Sequence, residues 1–364
     1  MAENLQKKLS FANKAISTRN QLPILSHVLL EARDEKLIIS STDLEIGIEI
    51  SLPAEIEEEG ATTVPARLFL ELVTSLPQDK IILQTRDGSL DIVSKKTKTV
   101  LQTTPKDEFP LLYEEKGEKV AIFSEGDMKN IFSRLLFAAS SDSARPALSG
   151  VLFQKSPASE GVEKFVIVAT DGYRLSYDEI TKEGKQSFDK LIIPARILRE
   201  ATAVFENNQI DLYLSSKNNQ ILFEQDGTIL VGRVIDAAFP NYEKVIPTDS
   251  ASVAVFDREE LLKAVKTCAI FAREAANIIT LSLYREKIVV SAKSPSLGEN
   301  TVDVEAKITG EENQIAFNAR YLSDALSNIQ ETELSFSMTG PLNSGVFHIV
   351  GNSHFLHLIM PVRT

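Results

Sequence analysis

One pattern of about 120 residues runs three times along this chain of 364, and that repetition constrains the fold more than any single motif does. Its clearest element is VPARLFLELVTSLP at 64–77, which returns as IPARILREATAVF at 193–205 and as FNARYLSDALSNI at 317–329. The second positions are Pro65, Pro194 and Asn318, so the intervals are 129 and 124. An earlier element reads LPILSHVLLEA (22–32), ARPALSGVLFQ (144–154) and AANIITLSLYR (275–285). A third reads SSTDLEIGIEI (40–50), VATDGYRLSYDEI (168–180) and, more loosely, SAKSPSLGENTVDVEA (291–306). The order of the elements never changes.

Each unit opens with an amphipathic helix pattern: Leu5, Leu9, Ala12 and Ile16 in the first, Met128, Ile131, Phe132 and Leu135 in the second, Leu262, Val265 and Ala269 in the third. The Ala-Arg element supplies a second helix per unit, with Pro65 and Pro194 near its first turn, where a missing amide hydrogen costs nothing. Alternating strand patterns lie between the helices, such as KLIISST, KFVIVAT and KIVVSAK, and Asp87-Gly88 and Asp226-Gly227 supply hairpin turns. Many strands in hairpin succession with two helices per unit predict an α+β fold with antiparallel sheets, not a parallel βαβ design. Related Phe-Pro elements, EFPLL at 108–112 and AFPNYEKVIP at 238–247, put the domains at 1–119, 120–247 and 248–364.

No segment approaches the roughly 20 apolar residues of a membrane span, and the opening MAENLQKKLSFANKAIS breaks its apolar positions with charges, unlike a signal peptide. The single cysteine, Cys268, excludes an intramolecular disulfide and fits a reducing cytoplasm; at helical spacing it reads as a small buried hydrophobe. The net charge of −12 speaks against nucleic acid only as a sum. With Glu57-Glu58-Glu59, Glu114-Glu115 and Glu311-Glu312 solvated in loops, the basic residues can still gather on one face.

An enzyme needs residues that this chain does not bring together. There is no Gly-rich phosphate loop and no Gly-x-Ser-x-Gly elbow. His354 and His357 stand three apart in a strand pattern, on opposite faces, which makes a shared metal site there unfavourable. Asp43 and Asp171 fall at equivalent places of two repeats and read as turn formers, not as an acid-base pair. A scaffold of repeated domains that binds peptides and no DNA is the remaining rival.

The ordered set of LPIL, ATDGYRL, IPAR, FPNYEKVIP and a terminal MPVR resembles the bacterial DNA polymerase III beta subunit family, the DNA sliding clamps, over essentially the whole chain. The resemblance implies a head-to-tail homodimer of six domains around a hole, helices lining the hole and a continuous sheet outside. It implies no cofactor, no metal and no catalytic site. Helices facing duplex DNA would present Lys7, Lys14, Arg67, Lys129, Arg134, Arg196, Lys263, Lys266 and Arg320 to the phosphates, with Arg19 in the loop before LPIL, for sequence-independent contact. The polymerase III catalytic subunit, a clamp loader and other DNA-processing proteins would insert short peptides into a pocket between the second and third domains. Matched residue by residue, that pocket comprises Leu148, Thr170, Gly172, Tyr173, Arg174, Leu175, Pro240 and Val245, with Asn318, Tyr321, Leu358, Met360, Pro361, Val362 and Arg363. An aliphatic floor suits apolar anchors, and Arg174, Asn318 and Arg363 would orient the peptide's polar groups. Tyr173 stands where some members carry histidine, and Ala276 where some carry a bulky aromatic.

Overall fold

The computed structural model describes every residue except 1, 17–21, 125, 143, 157–161, 184–187, 206–208, 275 and 364. The first repeat comprises α1 (Ala2–Ala12), β1 (His27–Arg33), β2 (Lys36–Thr42), β3 (Ile46–Pro53), β4 (Gly60–Pro65), α2 (Ala66–Ser75), β5 (Ile82–Arg86), β6 (Ser89–Ser94) and β7 (Thr97–Gln102). The second comprises β8 (Glu118–Phe123), α3 (Phe132–Leu136), β9 (Gly150–Ser156), β10 (Val162–Thr170), β11 (Arg174–Glu183), β12 (Lys190–Pro194), α4 (Ala195–Val204), β13 (Ile210–Ser215), β14 (Gln220–Gln225) and β15 (Thr228–Arg233). The third comprises β16 (Ser252–Asp257), α5 (Arg258–Ala272), β17 (Ile278–Tyr284), β18 (Lys287–Ser294), β19 (Gly298–Gly310), β20 (Asn313–Asn318), α6 (Ala319–Asn328), β21 (Glu333–Met338), β22 (Gly345–Ile349) and β23 (Asn352–Ile359). The α+β reading and the three-fold order of elements thus hold.

The helices form where apolar spacing and caps coincide. On α5, Leu261, Ala264, Val265, Cys268 and Ala272 are buried along one stripe, and Asp257 caps the first turn by accepting from the Glu260 amide. Asn318 caps α6 through the Arg320 amide. The opening helix of the second repeat differs from the regular helix its spacing predicts: a π-helical turn, Asp127–Ile131, leads into the short α3. The wider turn still buries Met128, Phe132 and Leu135.

Contacts divide the chain into two compact units, residues 1–125 with 196–234, and residues 126–195 with 235–364. The first holds an eight-stranded sheet in the order β4-β1-β2-β3-β15-β14-β13-β8 and a three-stranded sheet β5-β6-β7. The second holds a twelve-stranded sheet in the order β12-β9-β10-β11-β23-β22-β21-β16-β19-β18-β17-β20. Each long sheet therefore crosses a repeat boundary. In the first unit β3 pairs antiparallel with β15, Gly47 opposite Val231 and Ile48 opposite Leu230. In the second β11 pairs antiparallel with β23, Leu175 opposite Leu358 and Ser176 opposite His357.

Candidate peptide-binding site and basic helix faces

Two Thr-Asp turns built alike stand at the start of β3 and of β11. Thr42 Oγ1 donates to the Ile46 carbonyl at 2.7 Å, and Asp43 Oδ1 accepts from the Glu45 and Ile46 amides at 3.0 and 2.9 Å. Thr170 Oγ1 donates to the Arg174 carbonyl at 2.6 Å, and Asp171 Oδ1 accepts from the Tyr173 and Arg174 amides at 2.9 and 3.0 Å. Both are Asx-type turns with a left-handed third residue, Leu44 at φ 74° and Gly172 at φ 93°. The carboxylates are consumed by turn geometry, in agreement with the turn reading of Asp43 and Asp171.

The residues expected for the pocket, those of the second turn among them, all lie in the second unit. β11 brings Leu175 beside Leu358, and both sink into a cluster with Leu152, Val166, Val168, Ile192, Phe239, Tyr242 and Val346. The chain after β23 follows the rim, with the Met360 amide donating to the Tyr173 carbonyl and the Val362 amide to the Ala316 carbonyl, each at 2.8 Å. Val245 and Met360 are 45% and 41% exposed, and Tyr173 is 58% exposed. The Tyr173 ring stacks on Tyr321 with centroids 6.4 Å apart. Thr170 and Leu148 are buried; Gly172, Pro240 and Arg363 are exposed, and Pro361, Val362 and Asn318 half-buried. Ala276 is exposed at φ 54° in the turn before β17.

Arg174 is engaged within the protein. Its Nε donates to Asp171 Oδ2 at 3.0 Å and its Nη1 to Asp324 Oδ2 at 2.7 Å, while its guanidinium lies 4.6 Å from the Tyr321 ring centre and 5.5 Å from that of Phe137. With 7% exposure it ties the Asp171 turn to α6. Asn318 Oδ1 is engaged by the Arg320 amide at 2.9 Å. Beneath the floor, His357 is fully buried, shares a 2.7 Å hydrogen bond with Ser176 and packs 5.0 Å from the Phe137 ring. Burial pushes its pKa down to about 3, and the neighbouring Arg174 charge adds to the shift.

Of the basic residues expected on DNA-facing helices, Lys7, Arg67, Lys129, Lys263, Lys266 and Arg320 are exposed. Lys14 is half-buried and paired with Glu200 at 3.3 Å, and Arg196 is held by Asp43 and Glu45. Arg134 must be removed from this set. It is 9% exposed, its Nε and Nη2 both lie 2.6 Å from Asp178 Oδ2, and its Nη1 is 3.0 Å from Glu331 Oε1. The short α3 buries it together with Phe132, Leu135 and Leu136, against Asp178 of β11. Arg19 lies outside the described residues. Burial raises the Asp178 pKa in spite of Arg134, so burial outweighs the ion pair at this carboxylate.

Cys268 is buried, as expected, and burial pushes its thiol up to about 11, which leaves it an inert core group. His354 and His357 fall on opposite faces of β23, the first exposed and bonded to Glu179, the second buried. Among the described residues no cluster of three or more His, Cys, Asp or Glu side chains is placed to hold a metal ion. No described helix is long and apolar enough to cross a membrane.

Comparison with known proteins agrees with this architecture. Models of the N-terminal, central and C-terminal domains of the DNA polymerase III beta subunit match residues 1–113, 123–241 and 243–363. The beta sliding clamp of Staphylococcus aureus is 28% identical, the alignment covering 96% of this chain and 95% of that protein. The crystal structure of the Bacillus subtilis DNA polymerase sliding clamp superposes with a TM-score of 0.92 at 27% identity, over all of this chain and 98% of that one. The Pseudomonas aeruginosa DNA polymerase III subunit beta gives 0.91, also at 27% identity, over 100% of this chain and 98% of that one. With three domain models in order along nearly the whole chain and the same fold throughout, the chain belongs to the DNA polymerase III beta subunit family, the bacterial DNA sliding clamps.

Proposed function

We propose that this sliding clamp works as a head-to-tail homodimeric ring that encircles duplex DNA and tethers the polymerase III catalytic subunit and other DNA-processing proteins, with no catalytic site of its own. One observation carries the reading: the sheets run across both repeat boundaries in the same antiparallel manner, through β3 with β15 and β11 with β23. A chain that solves the junction twice in one way is left with one such junction unmade, and a second copy completes it. The three domains expected at 1–119, 120–247 and 248–364 each contribute to these junctions. Exposed Lys7, Arg67, Lys129, Lys263, Lys266 and Arg320 on helical segments supply sequence-independent phosphate contacts within a chain of net charge −12. Retention on DNA then comes from topology more than from affinity.

Partners would dock in the second unit, at half-exposed Val245, Met360 and Tyr173 together with the buried Leu175 and Leu358. A clamp loader would open the ring. The test is to load the protein onto nicked circular DNA with a competent loader and then linearise the DNA. Loss of bound protein on linearisation is the expected result; equal retention on both forms, or no loading, returns the chain to the class of scaffolds that bind peptides without DNA.

A further inference from the structure

Repeats two and three each lay a strand along the one that follows the Ala-Arg helix. β8 pairs antiparallel with β13, Phe123 opposite Ile210 and Ala121 opposite Leu212. β16 pairs antiparallel with β21, Phe256 opposite Leu334 and Ala254 opposite Phe336. Both covering strands thus set an alanine and a phenylalanine, two residues apart, on the inner row, and all eight of these side chains are buried. In repeat one the strand after the Ala-Arg helix is β5, and among the described residues it pairs only with β6. Its inner row is Leu83, opposite the buried Ile92, with Ile81 just ahead of the strand, and both are only half-buried.

The free edge of β5 has the groups to receive a strand. Its hairpin turns at Asp87 and Gly88, φ 44° and 75°, which makes Arg86 and Ser89 a hydrogen-bonded pair and turns the amides and carbonyls of Leu83 and Thr85 away from β6. An opposite wall is present as well. Lys36 at the start of β2 pairs with Pro53, and Lys287 at the start of β18 pairs with Glu305, so Ala54 and Ile56 correspond to Ala306 and Ile308. In repeat three Ala306 and Ile308 hold the other side of β16, opposite Phe256 and Ala254. Across the slot in repeat one, Lys80 Nζ meets Glu55 Oε2 at 2.6 Å, an exposed ion pair that an incoming strand displaces at little cost.

We infer that this slot, between β5 and residues 54–56, takes an extended segment of a partner protein as an added antiparallel strand, with an aromatic residue opposite Ile81 and a small one opposite Leu83. The chain's own covering strands set that register, since both read Ala-x-Phe and both place the phenylalanine nearer the start of the strand they cover. The added backbone satisfies the outward groups of Leu83 and Thr85, and the motif completes a row that is half-covered here and fully covered in the other repeats. A slip of one residue would turn the motif to the outer face and leave the row open. Beyond Ile56 the wall runs into exposed Glu57, Glu58 and Glu59, so basic residues flanking the motif are attracted.

The probe is a fluorescein-labelled peptide with the sequence of residues 119–124, KVAIFS, added to the full-length protein. Saturable binding is expected, with hydrogen exchange slowed at the Leu83 and Thr85 amides and unchanged at Gln84, which β6 already holds. Within the peptide, Ala121→Arg on the inner row should weaken binding at least about tenfold, and Ile122→Thr on the outer row by less than about threefold. In the protein, Leu83→Pro removes an outward amide and spares the bonds to β6, so it should abolish binding. No saturable binding at about 1 mM peptide, or binding that leaves exchange at Leu83 and Thr85 unchanged, overturns the inference. Protection of both amides in the peptide-free protein that fades on dilution overturns it too, because a second copy then fills the slot. If Leu83→Pro does not fold, the exchange pattern of the parent decides alone.

Discussion

Replacing Val245 and Met360 together by alanine tests the pocket at two side chains that the fold does not need. They are 45% and 41% exposed, so about two-fifths of each side chain is left for a ligand to cover. Complete burial of such a side chain is worth about 1.5–3 kcal/mol, so the exposed share amounts to about 1 kcal/mol each. The pair should then weaken binding of a peptide with aliphatic anchors by about 2 kcal/mol, or roughly thirtyfold in Kd. Fluorescence anisotropy with a labelled peptide measures this, and circular dichroism checks the fold. Leu175→Ala calibrates the other extreme: at 3% exposure its loss falls on folding, about 2–5 kcal/mol of stability. If the double variant keeps its parent's peptide affinity within twofold while its melting is unchanged, the assignment of the pocket is wrong.

Arg134→Met is expected to destabilise the protein by about 3–5 kcal/mol in urea unfolding at neutral pH, because it strands the buried Asp178 carboxylate. Burial already raises that carboxyl's pKa, so the folded state holds the proton more tightly than the unfolded chain. The variant should therefore regain stability as pH falls toward the acid range, and a loss that does not shrink there would contradict the cause. For His357 the sign is opposite. Its folded pKa of about 3 lies below the ordinary 6.5, so stability is full above about pH 6.5 and is lost as pH falls toward 3. Ser176→Ile with His357→Leu, which copies the equivalent Ile48 and Leu230, should flatten that acid limb in melts followed by circular dichroism. Lys263→Ala with Lys266→Ala should lower the slope of log K against log salt for DNA by about 1–2 units; an unchanged slope removes both residues from the DNA-facing surface.

The repeat and the strand succession are legible because they depend on spacing alone, whereas of the stripe expected on α5 only Val265 is fully buried, beside Leu261, Ala264, Cys268 and Ala272, with Leu262 and Ala269 half-buried. Lys36, Lys164 and Lys287 stand near the start of equivalent strands, and Asp43 and Asp171 sit in equivalent turns. The inward place of Arg134 escapes the sequence because its partners Asp178 and Glu331 are 44 and 197 residues away, and no local pattern announces them. The ion pair of Arg174 is hidden in the same way. Its partner Asp324 is 150 residues away in sequence, and only the pairing of β11 with β23 brings α6 to it. The register of the inner junctions was likewise invisible, since it joins strands from different repeats.

The two long sheets have a consequence for anyone who would cut the chain at its repeats. A break near residue 119 parts β3 from β15, and one near 247 parts β11 from β23, so either cut strips a strand edge that the other fragment had covered. Excised single repeats are therefore expected to aggregate or to borrow strands from one another. Hydrogen exchange in the intact protein should show cooperative blocks that follow residues 1–125 with 196–234 and 126–195 with 235–364. Three modules in the sequence are thus expected to unfold as two units, each of which draws on part of the middle repeat.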